Sequence, residues 1–90
     1  MGFISFNNDK FFNDPDFVMD LPIEDRYCRE VLNTNRIMHV YVVMPENTAI
    51  CVEYLSKKGD WFSIYESFPS EAECTFRFNQ IKNRLEEESK

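Results

Sequence analysis

Apolar residues fall in three short runs between residues 37 and 68, separated by turn formers, and beyond residue 70 their spacing lengthens to three and four. The first run, 37–44, sets Met38, Val40, Val42 and Met44 against Ile37, Tyr41 and Val43. Apolar residues of both parities predict a strand covered on both faces. Pro45, Glu46 and Asn47 break the run and supply a hairpin loop. A second strand, 48–56, places Ile50, Val52 and Tyr54 on one side and Ala49, Cys51, Glu53 and Leu55 on the other. Lys57, Lys58, Gly59 and Asp60 then make a tight connection with glycine where a positive φ is wanted. The third strand, 61–68, opposes Phe62, Ile64 and Phe68 to Trp61, Ser63, Tyr65 and Ser67. Two short loops dictate an antiparallel meander with 48–56 at its centre.

The last element is a helix. Ser70 followed by Glu73 is a capping box, in which the Glu73 amide donates to the serine oxygen and the Ser70 amide donates to the glutamate. Cys74, Phe78, Ile81 and Leu85 form a stripe facing the sheet. Burying the last three contributes on the order of 5 to 9 kcal/mol as an upper bound. Glu86, Glu87 and Glu88 oppose the carboxyl end of the helix dipole, which predicts fraying after Leu85.

The amino-terminal third is less regular. Residues 3–19 alternate aromatic runs (Phe3 to Phe6, Phe11 and Phe12, Phe17 to Met19) with turn formers at 7–9 and at Asn13, Asp14 and Pro15, predicting two short extended pieces added to the sheet. Over 22–33 the expectation is a shorter helix. Pro22 suits a first position, Glu24 and Asp25 complement the dipole, and Ile23, Tyr27, Cys28, Val31 and Leu32 share a face. The competing reading is a strand over 26–32 that turns at Asn33, Thr34 and Asn35. The fold class expected is therefore α+β: an antiparallel meander of three or more strands with a carboxy-terminal helix on one face.

Ninety residues make one domain, and a 43% apolar composition with nine Phe is that of a folded chain. No apolar run approaches the ~18 residues of a membrane span, and residues 1–8 lack the basic flank of a signal peptide, so the expected location is cytosolic. Three widely spaced cysteines, Cys28, Cys51 and Cys74, fit no disulfide framework and no metal pair, and are expected as small buried residues. The net charge of −6 is uneven. Residues 1–25 carry Asp9, Asp14, Asp16, Asp20, Glu24 and Asp25 against Lys10 alone, a net −5, while 26–61 carry +1 and 62–90 carry −2. Such a field repels nucleic acid and anionic membrane and attracts basic partners.

Catalytic motifs are absent from the pattern. The single histidine, His39, lies inside a strand, and two glycines cannot build a phosphate-cradling loop or dinucleotide fingerprint. Phe6 stands where a myristoylation signal wants Ser or Thr. Asp14 with Asp16, or Asp20 with Glu24, offer carboxylate pairs without the spacing of a calcium loop. Neither an enzyme, a cofactor nor a metal is expected.

Two features bear on recognition. Phe76 lies about 200° around the last helix from Phe78, and so faces away from the sheet, beside Arg77. Aromatics and arginine are enriched at interface centres. The acidic run interleaved with Phe11, Phe12 and Phe17 is either a solvated face or a docking surface whose carboxylates stand in for phosphates. The expected function is a small protein-binding module that blocks a basic protein through Asp9, Asp14, Asp16, Asp20, Glu24, Asp25, Phe76 and Arg77. DNA mimics and immunity proteins share this charge and size, and the Asn, Phe and acidic content fits a phage product. The alternatives are a self-associating assembly subunit, acting through Phe76 and strand edges, and a ligand-binding domain or enzyme with a pocket lined by His39, Tyr41 or Glu53.

Overall fold

The structure, a computed structural model, describes residues 2–13, 22–44 and 47–88, and of Ile23 and Glu24 the backbone alone. Strand β1 (Phe3–Asp9) is followed by a helical turn α1 (Ile23–Arg26), strand β2 (Tyr27–Asn33) and a 3-10 turn (Thr34–Arg36). Strands β3 (Ile37–Val42), β4 (Ala49–Leu55) and β5 (Trp61–Ser67) then lead to helix α2 (Glu71–Glu88). The meander forms as expected, in the order β3-β4-β5, with Cys51 opposite both Tyr41 and Tyr65. Gly59 adopts φ 90° in the β4–β5 loop, a conformation that a residue with a Cβ rarely accepts.

Both-face coverage belongs to β4 and not to β3. Ala49, Ile50, Cys51 and Val52 are all buried, whereas Met38, His39 and Tyr41 are exposed, because β3 is an outer strand of its sheet. A bulge at Met38, between Ile37 and His39, twists its start. Cysteine expectations divide likewise: Cys51 and Cys74 are buried, but Cys28 is exposed on β2.

The helix expected over 22–33 does not form. A single turn gives way to β2, which pairs with β1 in an unbroken antiparallel register from Phe3 opposite Asn33 to Asp9 opposite Tyr27. Helical capping signals at Pro22, Glu24 and Asp25 are local. They lose to a ladder that places Leu32 beside Ile4 in the core. Strand β1 also runs straight through Asn7, Asn8 and Asp9, where turn formers suggested a break. The expected extended piece at 17–19 lies outside the described residues.

Strand β1 does not simply extend the meander. The sheets are split, and side chains take the place of ladder bonds between them. The Asn7 amide donates to Glu66 Oε2 at 2.9 Å, and the Tyr65 amide donates to Asn8 Oδ1 at 3.1 Å. Further along, Arg77 Nη2 donates to the Ser5 carbonyl at 2.7 Å and Arg84 Nη2 to the Phe3 carbonyl at 3.0 Å. The Asn7 amide and the Ser5 and Phe3 carbonyls, which face away from β2, are thereby satisfied.

One core joins these parts. Phe6, Ile4 and Leu32 meet Ile50, Val52 and Ile64 under Cys74 and Ile81 of α2, with Phe78 and Leu85 packed against them. At the start of α2 the Glu73 amide donates to Ser70 Oγ at 3.3 Å. The Ser70 hydroxyl, not its amide, then donates to Glu73 Oε2 at 3.4 Å, so the box is closed differently from expectation. Helix α2 continues past Leu85 to Glu88. Arg84 Nε donates to Glu88 Oε1 at 3.5 Å, and the Glu88 carboxyl, held below the usual range first by the neighbouring Thr34 hydroxyl and then by Arg84, lies against Gly2. No helix among the described residues is long and apolar enough to cross a membrane.

Candidate functional site

The acidic surface expected from the amino-terminal charge loses its first member. Asp9 has a fully buried side chain: Arg26 Nε donates to its Oδ1 at 3.0 Å and Arg26 Nη2 to its Oδ2 at 2.9 Å. The Ser67 hydroxyl donates to Oδ2 at 3.1 Å and the Phe11 amide to Oδ1 at 3.2 Å. Asp9 is therefore a structural acceptor that joins α1, β1 and β5, and it is not a docking residue. The raised pKa of Arg26 reflects the same hydrogen bond to Asp9. Asp25 is exposed. Asp14, Asp16 and Asp20, and the side chain of Glu24, lie outside what the structure describes.

Arg77 borders the candidate surface but is engaged within the fold. Its Nε donates to Glu66 Oε1 at 2.8 Å, its Nη2 to the Ser5 carbonyl, and the guanidinium lies 5.6 Å from the centroid of the Phe6 ring. Since Glu66 is buried and also accepts the Asn7 amide, Arg77 neutralises a carboxylate that bridges the two sheets.

Phe76 behaves as its position on the helix implies. It is 68% exposed, on the helix that buries Cys74 and Ile81 completely or nearly so. Phe68 and Pro69, just before the cap, and Ala72, one turn earlier on α2, sit beside it and make an apolar shoulder. Shallow depressions of about 480 and 650 Å³ flank the ring, with Glu73 and the Glu66-paired Arg77 on one rim and Glu71 on the other. Residues 68, 69 and 72 were not singled out from the sequence, although the four-residue spacing from Ala72 to Phe76 was a readable sign. An exposed ring within a small apolar patch and an acidic rim is suited to insert into a pocket on a basic surface.

Another group lies on the sheet face away from α2. His39 Nδ1 is 2.9 Å from Glu53 Oε1, His39 and Tyr41 are in ring contact at 4.9 Å, and Phe12 stacks on Tyr65 at 4.6 Å. Buried Cys51 sits between the two tyrosines. The Tyr41 phenol is pushed up to about 12, first by its hydrogen bond to Cys51, then by the neighbouring Cys51 charge, loss of solvation and the charge on Glu53. A raised value stabilises the fold below the unfolded phenol's 10.0, and that support is lost as pH rises through about 12. In a spectrophotometric phenolate titration, the step near 12 disappears in Tyr41→Phe. If it persists, Tyr41 is not the phenol that titrates there.

The pocket expected around His39, Tyr41 and Glu53 takes another form. A groove of about 260 Å³ does lie between β3 and α2, with His39 in its wall, but its lining is mainly Ile37, Met38, Val40, Phe78 and Leu85. Among the described residues, no group of three or more His, Cys, Asp or Glu side chains is placed to hold a metal ion. Comparison with protein-family models, curated proteins and solved structures finds no match.

Proposed function

We propose that this chain is a small protein-binding module whose contact centre is Phe76 and whose partner presents a basic surface. The exposure of the Phe76 ring, on a helix whose opposite stripe is packed, carries the reading. A net charge of −6 and the exposed carboxylates of Glu71, Glu73 and Asp25 set the sign of the partner. A basic partner whose own ligand is a phosphate backbone would be blocked by such a module, with carboxylates taking the phosphate positions. Asp9 has no part in the contact, because its side chain is buried within the fold, whereas Arg77, paired with Glu66, borders the depression beside Phe76.

Replacing Phe76 with photoreactive benzoylphenylalanine, with Lys57 in the β4–β5 loop as the control position, tests this in lysate of the source organism. Irradiation is expected to attach one basic protein at position 76 and not at 57, with a yield that falls as salt rises. Labelling that is equal at both positions, or indifferent to salt, would count against it.

A further inference from the structure

We propose that the free edge of β3 pairs antiparallel with β3 of a second copy of this chain, joining two meanders into one continuous sheet. Among the described residues β3 pairs only with β4. The Val43 amide donates to the Ala49 carbonyl at 2.8 Å, so odd-numbered residues direct their backbone groups toward β4. Val40 and Val42, of the other parity, direct theirs outward. An open row of donors and acceptors is a template for another strand.

This edge lacks the usual protection. Natural outer strands carry charge or proline, yet Ile37–Val42 contains no Lys, Arg, Asp, Glu or Pro. Among the described residues, the bulge at Met38 is its guarding feature. Three of the exposed large apolar side chains lie on this strand or just beyond it: Met38 at 53%, Tyr41 at 37% and Met44 at 71%. Beside them runs the apolar groove between β3 and α2, which a second strand would cover.

Charge selects the occupant. A basic segment would find no carboxylate on the strand itself, whereas a second copy brings an equally uncharged edge. Lys82 and Glu86 line the groove one helical turn apart. A two-fold axis reverses their order in the second copy, so that the two groove rims present opposite charge in opposite order. Repulsion between copies of charge −6 is lessened at physiological salt, where charges farther apart than about 8 Å are screened. Phe76 lies on a different flank of α2, so the two surfaces are read by separate experiments.

Sedimentation of the full chain, combined with amide hydrogen exchange, tests the pairing. The wild type is expected to show a monomer–dimer equilibrium, with the Val40 and Val42 amides exchanging about tenfold or more slowly where dimer prevails. Met38→Lys should raise the dissociation constant about tenfold by placing a cation at the edge, and restore fast exchange. A monomer at the highest soluble concentration, or a dimer whose Val40 and Val42 amides stay fast, overturns the proposal. So does protection by a foreign protein but not by the chain itself. If Met38→Lys does not fold, the exchange of the wild type alone decides.

Discussion

Replacing Asp9 with Ala costs about 2–4 kcal/mol of stability, enough to lower the melting temperature by on the order of 10–20 °C in a domain of this size. The side chain is fully buried and accepts two hydrogen bonds from Arg26, one from Ser67 and one from the Phe11 amide. Removing it strands donors that came from three separate parts of the chain. Arg26 keeps about a third of its side-chain exposure and can turn toward water, so the loss falls short of that for a wholly buried pair. Asp9→Asn should lose less, since its carbonyl still accepts while its amide opposes one guanidinium nitrogen. Urea denaturation of both variants measures this. A change below about 0.5 kcal/mol for the Ala variant would mean that the carboxylate is dispensable.

Neighbouring positions on α2 should behave oppositely. Arg77→Ala is expected to cost about 2–4 kcal/mol, because buried Glu66 loses its cation and the Ser5 carbonyl its donor at the seam between β1 and β5. Phe76→Ala should stay within about 0.5 kcal/mol of the wild type, since its ring is largely in water already. Thermal melts of the pair therefore separate a structural residue from a contact residue one position apart. Loss of stability in Phe76→Ala comparable to Arg77→Ala would show that the ring is part of the fold and would remove it from the proposed surface.

That contrast illustrates which features were legible. Phe76 and the stripe of Cys74, Phe78, Ile81 and Leu85 follow from helical spacing alone, and their burial agrees. Arg77 was expected beside Phe76 as a second contact residue, but its reach to Glu66 and Ser5 depends on where β5 and β1 lie. The acidic run shows the same limit. Six acidic side chains before Arg26 were visible as a charge sum, but which of them faces water depends on Arg26 and Ser67 meeting Asp9 across the fold.

The chain's own periodicities determined the meander, the carboxy-terminal helix and its Ser70 cap, because each depends on residues near one another in sequence. Tertiary structure decided the rest. Residues 27–33 carry both helical and extended signals, and only the partner strand β1 resolves them as β2. The seam between the sheets, the burial of Asp9 and the open edge of β3 likewise depend on groups far apart in the chain meeting or failing to meet, which local propensity does not encode.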